Sequence, residues 1–323
     1  MKRRIIILGT VILLVVAAWT AGWFYVTSLV RQNIVALASA DGVTSPRVTC
    51  DRLDTGGYPF WIDVTCTNLT VTSGDISATL PTLRGSLLVY NPFEVILFGT
   101  SPLTVSDAFS GSRDELDWKN LEASARLTGW RIARISVVGD ALTLNDAVGS
   151  PIALGSAAHA EFHLLDDAAR YDAAKHLASL RLYSVVQQLA VPGAQIAKGH
   201  ATLDAEISNL PDDVRTYGDP SLLKRWQAAG GKLTINGLKG EDGAQDFAVT
   251  GNVALDAQGR PSGQLKINSK GLVERFGNLI PAQVKPLILG NPAPDGSYTQ
   301  TLNATNGLLL SGLMPLTAVP SVY

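Results

Sequence analysis

Residues 1–26 read MKRRIIILGTVILLVVAAWTAGWFYV, and this stretch decides where the rest of the chain is placed. Three basic residues, Lys2, Arg3 and Arg4, lead into Ile5–Val26, which carries no charge. At about 1.5 Å per residue, Ile5–Val26 reaches roughly 33 Å as a helix, and the hydrocarbon core of a bilayer is about 30 Å thick. The stretch therefore predicts a single transmembrane helix.

The residues that flank this helix predict its orientation. The basic residues precede it, whereas Arg31 is the one charged residue between its end and Asp41. Positive charge stays on the cytoplasmic side, and Trp19 and Trp23 lie near the far end, where aromatic rings favour the headgroup boundary. We predict a single-pass protein of the inner (cytoplasmic) membrane, with residues 1–30 as cytoplasmic tip and anchor and the C-terminal domain in the periplasm.

A cleaved signal peptide is the alternative to an anchor. Such a peptide has an apolar region of about 7–15 residues followed by small residues at the cut. Here the apolar run is longer and ends in the bulky residues Trp23, Phe24 and Tyr25. The best cut, after Val16-Ala17-Ala18, would leave Trp19 as the first residue. The sequence favours the uncleaved anchor.

The composition of the chain limits its fold class and its partners. The net charge is −2 with a pI of about 6.1, so nothing points to nucleic acid as a partner. Charged residues make up 17%, less than in a typical soluble protein, and small and hydroxyl residues are abundant, which suits short strands and turns. We predict a mainly β fold: a linker at residues 31–46, then an elongated, curved antiparallel β-sheet body at residues 47–323, with one or two short capping helices and a subdivision near 150–200.

The two cysteines agree with export. Cys50 and Cys66 flank the turn-forming sequence Asp54–Pro59, so that strands Arg47–Leu53 and Phe60–Val71 can pair as a hairpin with the cysteines opposite each other. In an oxidising compartment this arrangement predicts a disulfide. Two buried free thiols are the alternative, and a zinc site would need more ligands.

Strand patterns dominate the rest of the chain, with three features of note. Pro81 interrupts the alternating residues of Ile76–Tyr90, which predicts an edge or a bend. Asp167–Val191 suits either a helix or a strand, and we interpret Asp167–His176 as a loop or short helical piece and the residues after it as a strand. Asn306-Gly307 predicts the tight turn of a closing hairpin.

Two segments predict short helices. Asp219 suits the N-cap, Pro220 the first helical position, and Leu222, Leu223 and Trp226 form an apolar stripe that Gly230-Gly231 closes. Its expected role is to cap one end of the β body. The second helix is Leu272–Leu279, where Leu272, Val273, Phe276 and Leu279 share a face.

A set of turn motifs resembles a known family. The motifs are Gly57-Tyr58-Pro59-Phe60, Tyr90-Asn91-Pro92, Gly99–Leu103, Gly251–Asp256, Gly259–Gly263 and the ending Gly307–Leu316. Together they resemble the Gram-negative envelope family known as domain of unknown function 2125, over nearly the whole chain. That family has no settled activity. A more distant resemblance, to AsmA-type envelope proteins, implies an inner-membrane anchor, a β-hairpin body and a role in moving or organising lipids between the membranes.

A search for reactive side chains finds one weak candidate. His159, Glu161 and His163 share one face of a strand, as metal ligands or catalytic groups would. We favour the interpretation that this face is solvated, with Ala160, Phe162 and Leu164 inward. The paired carboxylates Asp166-Asp167 and Asp212-Asp213 are expected to be solvated in loops. We therefore predict no catalytic residue, no metal site and no cofactor, with an enzyme based on the histidines as an outside alternative.

The remaining predictions concern binding. We predict a non-catalytic role in envelope lipid binding or transfer, in which an apolar groove of the sheet takes up a lipid or acyl chain. The candidate lining residues, for which an ordinary core is the favoured interpretation, are Val95, Leu97, Leu203, Ile207, Val253 and Leu255. The alternative is a structural scaffold that docks another envelope protein through a sheet edge or the anchor.

Overall fold

A computed structural model describes residues 2–43, 45–271, 290–312 and 314–323. It confirms the mainly β class: 58% of the chain is in strands, which form an antiparallel, curved sheet. Two α-helices lie within the described residues, a long one at the N-terminus and a short one, α2, at Leu222–Ala228. The predicted helix Leu272–Leu279 lies outside the described residues.

The N-terminal helix, α1, runs from Lys2 to Leu37. Its residues Arg3–Leu37 are long and apolar enough to span a membrane. The helix continues past Val26, so the predicted linker at 31–46 begins inside it. The reason is that no glycine or proline follows Val26 until Gly42, and nothing interrupts the hydrogen-bond ladder before that point.

The chain divides into two compact units. The first consists of Met1–Ser124 and Leu144–Ile152, and the second of Ala125–Thr143 and Ala153–Tyr323. The strands of the first unit are β1 (Arg47–Thr49), β2 (Arg52–Gly56), β3 (Trp61–Ser73), β4 (Ile76–Leu88), β5 (Asn91–Thr100), β6 (Leu103–Asp107) and β7 (Arg113–Asp117). Strands β8 (Asn120–Thr128), β9 (Arg131–Asp146) and β10 (Ile152–Asp166) contribute residues to both. The second unit continues with β11 (Leu177–Val191), β12 (Ile196–Pro211), β13 (Lys232–Asp242), β14 (Gln245–Leu255), β15 (Pro261–Lys270), β16 (Tyr298–Thr305), β17 (Leu308–Ser311) and β18 (Met314–Ala318).

Pro81 lies inside β4, where the strand changes partner. Along one edge of β4, residues from Thr82 onward pair with β5, and residues up to Thr79 pair with β6. Pro81 falls between these two ladders, so its missing N–H costs no backbone hydrogen bond there. The chain therefore continues as a single strand instead of ending or starting a new one at Pro81.

The predicted disulfide between Cys50 and Cys66 is present, with the Cα atoms 5.4 Å apart. The register differs from the expected one, because Leu53 and not Cys50 stands opposite Cys66. Cys50 lies in the break between β1 and β2, across from the kink at Asn68, whose φ is 51°. This break frees Cys50 from the ladder and lets its side chain reach Cys66.

Three local predictions can be compared with the structure. A 3₁₀ turn at Ala168–Arg170 followed by β11 confirms the interpretation of 167–191 as a short helical piece and a strand. Asn306 and Gly307 both have positive φ and join β16 to β17, as predicted. The N-cap of α2 is Ser221 and not Asp219, because the Asp219 carboxylate accepts a hydrogen bond from the Ser221 N–H and forms a separate turn before the helix.

Candidate functional site

The second unit carries a continuous apolar surface on one side of its sheet. The backbone register aligns mainly apolar residues in rows that cross four or five strands, between β11 and β15. The rows are Leu180-Ile207-Leu233-Val253, Leu182-Ala205-Ile235-Gly251-Leu265 and Ser184-Leu203-Leu238-Val249-Ile267. We call this surface the apolar face.

The opposite side of the same strands is polar. Glu206, Thr234, Asn252 and Gln264 form one cross-strand row on that side, and Gln264 Nε2 donates to Asn303 Oδ1 over 2.8 Å. The two sides differ because side chains of a strand alternate between the faces of a sheet. The sheet is therefore amphipathic from β12 to β15.

The apolar face is partly open. Leu180 and Ala205 are buried, but most residues of the three rows are half-buried. Phe162 of β10 extends the third row, opposite Ser184, and is 37% exposed. Full burial is normal for large apolar side chains of a closed core, so this face keeps apolar surface in contact with solvent.

A cavity of 290 Å³ continues the apolar face at one end. Ala201, Gly240 and Phe247 form the next cross-strand row, and they line the cavity together with Leu189 and Ile196. A side chain at Gly240 would overlap the Phe247 ring, so the glycine gives the ring its place against the sheet. The remaining lining includes the polar residues His200, Glu241 and Asp242. The result is a cavity with apolar walls and a few polar groups, as small-molecule sites have.

The structure places the predicted lining residues on an apolar surface in each unit. Leu203, Ile207, Val253 and Leu255 belong to the second unit, where the first three lie in the rows of the apolar face and Leu255 ends β14 on the same side. All four are half-buried.

Val95 and Leu97 belong to the first unit. Val95 lies opposite Leu87, which lies opposite the fully buried Ile62, and Leu97 lies against Gly85. Val95 and Leu97 are half-buried as well. The first unit thus has its own apolar sheet surface around Ile62.

The two carboxylate pairs meet at one end of the second unit's sheet. Asp166 ends β10 and Asp212 follows the end of β12, on either side of the first residues of β11. The expectation that they are solvated is wrong for Asp166, whose side chain is 9% exposed and lies 3.1 Å from Arg131. Burial raises the pKa of the Asp166 carboxyl, and Arg131 partly offsets this effect. The pairs converge because β10 and β12 both run antiparallel to β11, which lies between them. The two strands therefore end at the same end of the sheet.

Aromatic and basic side chains surround these carboxylates. The Arg131 guanidinium stacks on the Tyr171 ring at 3.9 Å, and the Tyr171 hydroxyl donates to Asp212 Oδ2 over 2.8 Å. Arg215 forms an ion pair with Asp213 and stacks on Trp130. Trp130, Arg131, Tyr171, Asp212 and Asp213 line an open cavity of 420 Å³.

The side chains of this charged cluster bind one another and the loop that follows β12. Burial, followed by the charges of Asp212 and Asp166, raises the pKa of Tyr217 to about 12. A tyrosine with such a pKa keeps its proton, and its hydroxyl donates to the Pro211 carbonyl. The arginines, tyrosines and carboxylates engage one another, and together they hold the loop that follows β12.

The histidine face of β10 forms a hydrogen-bonded chain. His159 Nδ1 donates to Asp140 Oδ1 over 2.7 Å, and its Nε2 donates to Glu161 Oε1 over 2.8 Å. The other Glu161 oxygen accepts from His163 Nε2 over 3.0 Å. Hydrogen bonds to Glu161 and then Asp140 raise the pKa of His159, and bonds from His159 and His163 lower the pKa of Glu161.

These hydrogen bonds show that the surroundings of the histidines differ from the expected ones. His159 and His163 are half-buried, whereas Phe162, expected to point inward, is the more exposed residue. Among the residues that the structure describes, no group of three or more His, Cys, Asp or Glu is arranged to hold a metal ion. Both ring nitrogens of His159 and Nε2 of His163 are hydrogen-bonded to carboxylates, and these are atoms that would coordinate a metal.

A family model matches residues 23–320, and its description is "Uncharacterized protein conserved in bacteria (DUF2125)". The chain belongs to this family. The match confirms the resemblance to DUF2125 inferred from the turn motifs. No curated protein and no solved structure matches the chain.

Two glycines of the turn motifs named above have a structural explanation. Gly251 and Gly263 lie on the paired strands β14 and β15 with φ of 146° and 153°. A Cβ at Gly251 would overlap the Gln264 carbonyl oxygen, and a Cβ at Gly263 would overlap that of Asn252. Both positions therefore need glycine so that the strands can approach each other.

Sequence reasoning missed two parts of these sites. The charged cluster around Arg131 depends on strand register, which no local pattern reveals. The cavity at Phe247 also had no signal of its own, although a glycine opposite an aromatic residue on neighbouring strands is a pattern that could have indicated it.

Proposed function

We propose that this DUF2125 protein is an inner-membrane protein whose second unit binds lipid acyl chains on the apolar face in the periplasm, without catalysis. The observation that carries the proposal is the partly open apolar face with its adjoining cavity. Helix α1 supports the membrane attachment because it is long and apolar enough to span a bilayer. The three basic residues at its N-terminal end support a cytoplasmic N-terminus.

The physics of the apolar face suits an acyl chain. Burying apolar surface yields about 25 cal/mol per Å², without any need for reactive or precisely placed polar groups. Phe162, Leu203 and Val249 would lose their remaining solvent contact beneath such a chain. The polar residues at the cavity, His200 and Glu241, offer hydrogen-bonding groups for a headgroup or a carboxyl.

The test is site-specific photo-crosslinking of the full chain in its native membrane. A photoreactive phenylalanine analogue replaces Leu203 or Val253 on the apolar face. The same analogue at Asp204 or Asn252, the neighbouring residues on the polar side of the same strands, provides matched controls. After irradiation, mass spectrometry identifies what is attached at each position.

We expect lipid adducts at Leu203 and Val253 and none at Asp204 and Asn252. Equal lipid labelling on both sides would contradict a specific site. Adducts with a defined protein instead of lipid would favour the alternative, a scaffold that docks another envelope protein. Replacement of both His159 and His163 by Ala should leave the lipid adducts unchanged, whereas their loss would favour a role for the histidines.

A further inference from the structure

The turn between β2 and β3 is fastened to helix α1. The Trp19 indole donates through Nε1 to the Pro59 carbonyl over 2.9 Å, and Trp23 Nε1 donates to the Trp61 carbonyl over 2.8 Å. The Trp23 and Tyr58 rings form an edge-to-face pair with their centroids 5.5 Å apart, and Trp23 is buried in the contact. The turn therefore has a defined position along the helix, beside residues 19–23.

Four backbone carbonyls of this turn, those of Gly57, Pro59, Phe60 and Trp61, accept hydrogen bonds within the protein. The carbonyl of Phe60 accepts from the Val89 N–H over 3.0 Å, and the carbonyl of Gly57 accepts from the Trp61 N–H over 2.9 Å. Together with the two bonds from the indoles, these contacts give hydrogen-bond donors to three consecutive carbonyls, those of Pro59, Phe60 and Trp61. Internal satisfaction of successive backbone groups is what a segment needs when it leaves water for lipid.

The position of the turn on α1 sets its depth in a bilayer. At about 1.5 Å per residue, Trp19 lies roughly 21 Å and Trp23 roughly 27 Å along the helix from Ile5. If Ile5 lies at the inner edge of a hydrocarbon core of about 30 Å, the Trp23 indole lies about 3 Å and the Trp19 indole about 9 Å inside the outer edge. A turn that binds these indoles is carried to the same depth.

A second loop brings more exposed aromatic residues to this end of the first unit. The bond from Val89 to Phe60 ties the turn between β4 and β5 to the turn between β2 and β3. The large side chains that these two turns expose are Tyr58, Phe60, Trp61, Tyr90 and Phe93. We call them the aromatic rim. Residues 57–62 and 88–93, which contain the rim, carry no charge.

We propose that the aromatic rim is a second membrane contact, inserted at the boundary between headgroups and hydrocarbon beside α1. This inference rests on the membrane-spanning role of α1 in the proposed function. Aromatic side chains with polar tips favour this boundary, and the absence of charge removes the main cost of entering it. The contact holds the start of the first unit against the lipid surface.

The test measures where single positions lie in proteoliposomes of phosphatidylcholine that contain the full chain. Cysteine replaces Tyr90 or Phe93 and carries a nitroxide label, while Cys50 and Cys66 stay unreactive in their disulfide. Collision of the label with oxygen reports lipid, and collision with a water-soluble nickel chelate reports water. The control is Phe109→Cys, because Phe109 is an 88% exposed aromatic residue in another turn of the same unit.

A further label, at Leu13→Cys, reports whether α1 lies in the bilayer. We expect labels at 13, 90 and 93 to favour oxygen, and the label at 109 to collide several-fold more often with the nickel chelate. The rim proposal alone is overturned if the label at 13 favours oxygen while the labels at 90 and 93 collide with the nickel chelate as often as the label at 109. A label at 13 in water overturns the anchor and the rim together. Labels at 90 and 93 that reach neither reagent indicate a protein contact, such as a second copy, and also overturn the rim.

Discussion

The side chain of His159 is held between two carboxylates, Asp140 and Glu161, on the polar face of β10. Carboxylates accept hydrogen bonds, so both ring nitrogens donate and the ring is bound as the imidazolium. Because the pKa of His159 is raised from its ordinary 6.5, this contribution to stability is complete below about pH 6.5 and is lost as the pH rises through the raised value.

Glu161 sets the lower limit of the pH range in which these hydrogen bonds stabilise the fold. Its pKa is lowered from the ordinary 4.5, so its contribution is present above about pH 4.5 and is lost as the pH falls through the lowered value. We predict that His159→Gln lowers the melting temperature of the full chain in detergent by several degrees at about pH 5.5 and by much less at about pH 9. Thermal unfolding followed by tryptophan fluorescence at the two pH values measures this.

The control for the loss of an imidazole is His176→Gln, since His176 is largely exposed. It should change the melting temperature little at either pH. If His159→Gln lowered the melting temperature equally at both pH values, the effect would come from packing and not from the protonated ring.

At the scale of the element, the strand pair β14–β15 requires glycine at two positions. Gly251 and Gly263 have φ values that residues with a Cβ rarely adopt, and each faces a carbonyl of the other strand. The backbones approach closely there, at the last two strands of the apolar face. A Cβ at either position would strain the backbone and separate the two strands.

We predict that Gly251→Ala destabilises the full chain by about 1–3 kcal/mol, the usual cost of an unfavourable backbone conformation. The matched control is Gly237→Ala on the neighbouring strand β13, where the nearest atom to an added Cβ is Lys239 Cε at 3.9 Å. Denaturant unfolding of both variants in the same detergent gives the comparison. An unfolding midpoint of Gly251→Ala equal to that of Gly237→Ala would show that the strands have room for the methyl group.

At the scale of the whole molecule, the prediction concerns topology. We expect alkaline phosphatase fused after Tyr323 to be active, because this enzyme folds in the periplasm, and the fusion to stay in the membrane after an alkaline carbonate wash. The intact N-terminus, measured by mass spectrometry, should contain residues 1–26, since an uncleaved anchor keeps them.

Reversal of the N-terminal charge provides the control for topology. Replacement of Lys2, Arg3 and Arg4 by Glu removes the positive charge that favours a cytoplasmic N-terminus, so we expect phosphatase activity to fall. A green fluorescent protein fused at the same C-terminal site should stay dark in the original chain. Bright fluorescence there would place the C-terminus in the cytoplasm and contradict the topology.

Local patterns predicted much of the fold. Asn306-Gly307 predicted the turn after β16, because this signal depends on two adjacent residues. The half-buried state of Leu203 and Val253 could not be predicted. Whether a sheet face is covered depends on which other segments fold over it.

The charged cluster shows a second limit. Asp166 and Asp212 both precede loops, and solvation was the natural expectation for each of them alone. Their burial beside Arg131 and Tyr171 follows from the register of β10, β11 and β12, which brings strand ends together from distant parts of the chain. Register is a property of paired strands and is absent from any one of them.

The sequence by itself determined the apolar helix of the N-terminus, the mainly β class and the cysteine pair, because hydrophobicity, alternation and cysteine content are properties of short segments. Only the tertiary structure decided which turn meets the helix. Trp19 and Pro59 are 40 residues apart, and Trp23 and Trp61 are 38 apart. Such contacts depend on how strands pair and where the helix lies against them, so they arise only when the chain has folded.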